Sequence, residues 1–289
     1  MRLRRAALLA LVLLLLAACA GPASSAPDVS VSGAAGSKPT LTYVAPLEPQ
    51  RTYRSTIWPG AGPRLRDGDP VLLNYWVENA RTAAVVAQSY SASPVTRTLS
   101  AAALGADLYR TLSGAHVGAR LLQVSPAGTG GAGDDVPTVT VVDVLSLRAT
   151  GQPVAPQPGL PTVKLAADGT PSLTATGTDP PTTLVAQPLI RGSGQQVARG
   201  DTVTVQYVGF SWKTGEAFDS TWSRGTPASF SLADVPAWSE GLADQPVGSQ
   251  LLLVVPPSYA LGATQSQELS GQTVVFVVDI LAVAAEGSS

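Results

Sequence analysis

Residues 200–209 read Gly200-Asp-Thr-Val-Thr-Val-Gln-Tyr-Val-Gly209. Glycine and aspartate open the stretch with a turn signal. From there apolar and polar side chains alternate, so Val203, Val205 and Tyr207 share one face of a strand. Further along, Leu251 to Val255 and Val274 to Leu281 are short, nearly continuous apolar runs bounded by turn residues, the pattern of well-buried strands. Helical signals are brief, over Ala101 to Leu112 and Trp238 to Ala243. The 289 residues include 28 Gly and 24 Pro, which argues against helix bundles and coiled coils and for many short strands joined by turns. Only 13% of residues are charged, which argues against a solvated disordered chain.

Net charge is −2, and no basic block occurs beyond the N-terminus, so nucleic acid is excluded as a partner. A single Cys and a single His exclude a disulfide framework and Cys-based zinc or iron–sulfur sites and leave little for metal chemistry; no cofactor is expected. At the N-terminus, Arg2, Arg4 and Arg5 precede an apolar core from Ala6 to Leu16, shorter than the roughly 20 residues that span a bilayer. Residues 1–18 therefore read as a signal peptide. Leu16-Ala17-Ala18-Cys19 resembles a bacterial lipobox, which implies diacylglyceryl attachment at Cys19 and anchoring outside the cytoplasmic membrane, in the cell envelope. Residues 19–39, rich in Ser, Gly, Ala and Pro, read as a flexible tether.

The remainder repeats. Gly60-Ala61-Gly62 recurs as Gly192-Ser193-Gly194, Gly68-Asp69 as Gly200-Asp201, and Asn74-Tyr75 as Gln206-Tyr207, all 132 positions on. Val117-Gly118 returns as Val247-Gly248, and Asp143-Val144-Leu145 as Asp279-Ile280-Leu281. Such a long period is a duplicated domain, since solenoid repeats run at about 20–50 residues. The reading is a first domain over 40–149, a stiff Pro-rich linker over 150–159 and a second domain over 160–285.

Six pieces of the second copy, in order, resemble the FKBP-type peptidyl-prolyl isomerases. They are Gly200 to Gly209, Gly215-Glu-Ala-Phe-Asp-Ser220, Trp238-Ser-Glu-Gly-Leu242, Val247-Gly248, Pro257 to Gly262 and Thr273 to Leu281. The resemblance implies an α+β fold: two FKBP-like domains, each a bent antiparallel β-sheet wrapped around a short α-helix. It also implies a proline pocket. Tyr207 and Phe276 would be walls, Trp238 the floor, and Phe218 a ring against the proline. Asp219 would be held by Tyr207 and Arg224, and Val235 would give an apolar contact and a backbone N–H. Phe230, Tyr259 and Leu261 would line the substrate. Leu261 stands where the family usually has a Tyr whose hydroxyl binds a substrate carbonyl, and Ala228 where it often has a second aromatic wall.

The first copy keeps Tyr75 but has neither Phe nor Asp around Val85 to Ala87, Leu108 in place of Trp238, and Thr140 in place of Phe276. It reads as a degenerate, non-catalytic domain. Its Gly128-x-Gly130-x-x-Gly133 follows an extended segment without a helix to receive a phosphate, so it reads as a loop. His116, matching Pro246, reads as a surface or turn residue. The expected function is a lipid-anchored prolyl isomerase acting on proline-containing exported polypeptides and assisting their folding. A binding module or chaperone of the same fold with little catalysis, and a structural envelope lipoprotein, stand as alternatives.

Overall fold

The computed structural model describes residues 26–129, 135–259 and 271–285. The signal segment, Cys19, Leu261, Gly130 and Gly133 lie outside them. A hairpin of β1 (Ser30–Ser32) and β2 (Thr40–Thr42) comes first. Then follow β3 (Tyr53–Pro59), β4 (Pro70–Asn79), β5 (Val85–Gln88), β6 (Val95–Thr98), α1 (Ala101–Leu104), α2 (Ala106–Leu112), β7 (Ala119–Ser125) and β8 (Thr138–Leu145). They form an antiparallel sheet ordered β3-β7-β8-β4-β5, with β6 also on β4.

The second unit opens with β9 (Gln152–Pro153) and a hairpin of β10 (Thr162–Leu165) and β11 (Pro171–Thr174). It continues through β12 (Val185–Arg191), β13 (Thr202–Ser211), β14 (Ala217–Ser220), α3 (Thr221–Arg224) and β15 (Ala228–Ser231). A 3-10 turn (Leu232–Asp234), α4 (Pro236–Leu242), β16 (Gln250–Val255) and β17 (Val274–Ala284) complete it. Its sheet runs β14-β13-β17-β16-β12-β9 with β15 on β13, the order of the first sheet plus one strand. Around the site the ladders match residue by residue, although β13–β17 carries a bulge between Thr204 and Val205 that β4–β8 lacks. Val77 faces Thr140 and Ala87 as Gly209 faces Phe276 and Asp219. The isolated bridges Arg64–His116 and Gln196–Pro246 also correspond.

Both faces of the second sheet are buried, which is why β16 and β17 are almost uninterruptedly apolar. Val203, Val205, Tyr207, Leu251, Leu253, Phe276 and Val278 pack against α4 on one face. Val208, Phe210, Leu252, Val254, Val275 and Val277 pack on the other, beneath Leu160, Val163 and Leu173 of the hairpin region. The α+β expectation is thus corrected towards strands: among the described residues the α-helices are only four to seven residues long, and the far face is covered by a hairpin. The helix expected over Ala101 to Leu112 is broken at Gly105 (φ 77°). The one expected over Trp238 to Ala243 starts earlier, at Pro236, whose missing N–H costs nothing at the first helical position.

The tether expected over 19–39 is corrected too. From Val29 onward it belongs to the first unit, where Val29, Val31, Leu41, Tyr43 and Leu47 pack on Trp76, Leu122, Val124, Val139 and Val141. Arg120, fully buried on that face, pairs with Asp143 at 2.6 Å and donates to the carbonyls of Ser37 (2.7 Å) and Ala34 (3.4 Å) in the hairpin loop. Its guanidinium lies 4.4 Å from the Trp58 ring. The hairpins occupy matching positions, and Pro39-Thr-Leu-Thr42 corresponds to Pro171-Ser-Leu-Thr174 at the offset of 132.

The linker over 150–159 is likewise built into the second unit. Gln152 and Pro153 pair with Arg191 and Ile190, and Val154 N–H donates to Leu189 O at 2.9 Å. A Cβ on Gly151 would fall 2.0 Å from Arg191 O, so only glycine allows this approach. Just before it, Ala149 N–H donates to Asp279 at 2.7 Å, while Gln250 Nε2 donates to the other carboxylate oxygen at 2.7 Å. Burial pushes the Asp279 carboxyl up to about 6, outweighing these two bonds and the nearby Arg148.

That shift sets a pH dependence. Between about pH 4 and pH 6 the folded chain holds a proton on Asp279 that the unfolded chain has released, so stability falls as pH rises through this window. The full difference is at most about 3 kcal/mol. Urea midpoints measured from pH 4 to pH 7 are expected to decline across that window, and Asp279→Asn is expected to flatten the decline.

Candidate active site

Trp238 rises from α4 into the helix-side face of the sheet and is 4% exposed. Its indole meets Tyr207 of β13 at 5.2 Å, Phe276 of β17 at 5.3 Å and Phe230 of β15 at 4.9 Å between centroids, all edge to face. Tyr207 and Phe276 lie 6.0 Å apart, and Phe276 meets Phe218 of β14 at 5.8 Å with planes at 83°. Rings crossed in this way gain from their quadrupoles as well as from burial. Phe218 closes the series at the surface, 39% exposed. Four predicted pocket residues, Tyr207, Phe218, Trp238 and Phe276, therefore come together, with Phe230 buttressing the floor.

Their arrangement depends on a residue not singled out in the sequence. Gly209 lies opposite Phe276 in the ladder, and a Cβ there would fall 2.6 Å from Phe218 Cζ and 2.9 Å from Phe276 Cε1. The available signal was glycine inside a strand pattern, which marks close approach.

Asp219 follows Phe218 and turns its carboxylate to the rim. The Tyr207 hydroxyl donates to Oδ2 at 2.5 Å, and Arg224 Nη1 donates to Oδ1. Arg224 Nη2 also donates to the Tyr207 oxygen at 3.2 Å. Arg224 reaches them because α3 is a single turn, capped by Ser220 Oγ accepting from Ser223 N–H and ended by Gly225 in the left-handed region. Partial burial alone would raise the Asp219 pKa, but the Tyr207 and Arg224 hydrogen bonds overcome it and hold the carboxyl below the ordinary Asp range. Burial and the Asp219 bond push the Tyr207 hydroxyl up, and the Arg224 guanidinium is raised by Asp219. The carboxylate is ionised and the phenol neutral throughout the neutral range.

Val235 is buried beside Trp238. Its N–H, expected to meet a substrate carbonyl, donates to Leu232 O at 3.2 Å in closing the 3-10 turn. A substrate would therefore share an engaged donor. Tyr259 and Ala228 are half-buried against the same core. In the first sheet, Val86 and Ala87 stand in the places of Phe218 and Asp219, and Val77 fills the place that Gly209 leaves bare. No carboxylate–phenol–guanidinium group can assemble at those positions. His116 is exposed, with Nδ1 2.9 Å from Gly62 O.

Residues 193–281 match the family model of FKBP-type peptidyl-prolyl cis-trans isomerases. The chain is 36% identical over 113 residues to an FK506-binding protein of Streptomyces anulatus, an alignment covering 37% of this chain and 91% of that one. It is 41% identical over 103 residues to a probable FK506-binding protein of Corynebacterium glutamicum, covering 35% and 87%. Against the FKBP-type peptidyl-prolyl cis-trans isomerase FkpA of Escherichia coli K12 it is 38% identical over 104 residues, covering 35% and 38%.

Gly209→Ala tests the packing argument. The added methyl has to displace the Phe218 ring, so about 1–3 kcal/mol of stability is expected to be lost by overpacking. In NMR spectra, the ring-current shifts of Phe218 and Phe276 are expected to collapse while the signals of the far-face core, such as Val254 and Val275, stay in place.

Proposed function

The chain belongs to the FKBP-type peptidyl-prolyl cis-trans isomerases, and from that premise we propose that it works outside the cytoplasmic membrane, held there by lipid on Cys19. Its second unit is the isomerase domain; its substrates in this reading are exported polypeptides that wait on X-Pro bonds to fold. The first unit is a degenerate copy of the same domain, without catalysis, that spaces the isomerase from the membrane or helps to hold clients. The lipobox at Leu16 to Cys19 supports the anchoring, and the aromatic cleft rimmed by Asp219 carries the catalytic reading.

Rotation about an X-Pro bond is opposed by amide resonance, with a barrier near 18–20 kcal/mol. No bond between heavy atoms is made or broken, so neither a nucleophile nor a proton transfer is required. The twisted amide has lost much of its charge separation and is less polar than the planar form. A cleft walled by Tyr207, Phe218, Trp238 and Phe276 offers the proline ring an apolar seat and favours that twisted state over the solvated ground state. Asp219, Tyr207 and Arg224 satisfy one another, so the rim keeps a fixed shape and field while the substrate turns.

Ala228 in place of an aromatic wall, and the engaged N–H of Val235, favour a second reading in which the domain chiefly binds unfolded chains.

A proline-limited refolding assay with the detergent-solubilised full-length protein separates the two. Wild type is expected to accelerate the slow phase, and Phe218→Ala/Asp219→Ala to lose about tenfold or more of that acceleration. Equal, uncatalysed rates for both, with aggregation still suppressed, would give the binding reading. In cells, Cys19→Ser is expected to abolish palmitate labelling and release the protein from membranes.

A further inference from the structure

The outer edge of β13 carries a gap. Val205 pairs with Ala228 of β15, and Val208 and Gly209 pair with Ser220 and Asp219 of β14. Tyr207, between them, has no strand partner on that side among the described residues, because the chain leaves the sheet there to form α3. Its backbone groups are nonetheless satisfied. Thr221 Oγ1 accepts from Tyr207 N–H at 2.8 Å and donates to Tyr207 C=O at 3.2 Å. Thr221 is completely buried. One hydroxyl thus stands in for both ladder bonds of a missing neighbour.

We infer that Thr221 is a positioning residue of the isomerase site, a reading that rests on the second unit being the catalytic one. Thr221 is the first residue of α3 and Arg224 the last. Clasping Tyr207 to the start of that turn fixes the distance across which Arg224 reaches Asp219 and the Tyr207 hydroxyl. The hydroxyl itself lies behind the wall, completely buried.

The first unit provides an internal contrast. Ser89, at the matching position, also accepts from Tyr75 N–H, at 2.9 Å. Its own proton, however, goes to Asn74 Oδ1 at 2.9 Å, and Tyr75 O takes the backbone N–H of Ser89 at 3.1 Å. Only an isolated turn follows, with Ala92 N–H donating to Ser89 O at 3.1 Å, and Ala92 stands where Arg224 does. A hydroxyl that caps the tyrosine amide is common to both units; the double clasp belongs to the one with the carboxylate group to aim.

The test uses the detergent-solubilised full-length protein and an Xaa-Pro peptide. Thr221→Val is expected to lower kcat/KM about tenfold, and Thr221→Ser to return it to within about twofold of wild type. Followed by carbonyl NMR, the Asp219 titration is expected to move up towards the ordinary Asp range in Thr221→Val and to stay low in Thr221→Ser. A lowered melting temperature with unchanged kcat/KM and unchanged Asp219 titration would overturn the inference. Should the valine variant not fold, hydrogen exchange in wild type decides: the Tyr207 amide is expected to be as protected as those of Val205 and Gly209, and rapid exchange would remove the clasp. An inactive wild type would refute the catalytic reading, while the Asp219 titration would still decide the positioning role.

Discussion

Where β13 runs beside β17, Gly209 leaves a bare stretch of backbone, and the rings of Phe218 and Phe276 meet across it. The rest of the site closes on that contact in a cycle. Phe276 touches Trp238 and Tyr207, the Tyr207 hydroxyl holds Asp219, and Asp219 follows Phe218 on β14. Each member is fixed by two others, so the aromatic cluster holds its shape by itself. In the first sheet a valine occupies the crossing, with Thr140 and Ala87 at its sides. Two sheets of closely similar order and register thus differ at this crossing because one has room for rings and the other does not. The framework is set by the ladders, and function by a handful of positions on them.

Much of this framework is legible in the sequence, for physical reasons that also explain what is not. Alternation along Val203, Val205 and Tyr207 reports a strand whose two faces differ, while the unbroken apolar runs of β16 and β17 report strands covered on both sides. The two hairpins stay hidden because strands of three or four residues among Ser, Gly and Pro are too short to show a period. Only the repeat itself carries them, in Pro39-Thr-Leu-Thr42 and Pro171-Ser-Leu-Thr174. Within the site, the aromatic residues and Asp219 stand out by type and order. Gly209 and Thr221 do not, since their roles answer needs of the backbone: space in one case, a missing ladder partner in the other. Such needs become visible only once the pairing is known.

On the far face, each sheet buries an aspartate at the same ladder position, Asp143 in one and Asp279 in the other. A carboxylate taken out of water needs partners there. The first unit supplies Arg120, whose remaining donors gather the carbonyls of the β1–β2 loop, so the ion pair also seals the hairpin onto the sheet. The second unit has Gln250 at the equivalent place and completes the set with the Ala149 N–H. An amide and a backbone N–H compensate burial less than a guanidinium does, which is why Asp279 holds its proton to about pH 6. The joint between the units is therefore tied to a titratable group within the second core. Thr150 N–H bonding to Gly248 O at 2.9 Å and the pairing of β9 add to it. A Pro-rich segment that reads as a spacer in sequence is in fact an edge strand.

The scarcity of charge acquires a meaning from this arrangement. A reaction that moves protons needs a group whose pKa lies near the working pH, and such a group is sensitive to everything that changes its ionisation. Turning an amide about its C–N bond needs no such group. The charged residues at the cleft, Asp219 and Arg224, are accordingly held far from titration in the neutral range, each by the other and by Tyr207. Their charge is constant, so the rim keeps a fixed field, and their hydrogen bonds hold the Tyr207 ring in place. In the proposed mechanism, selectivity for the twisted amide then falls to the apolar walls, whose separation is set by the ladder beneath them.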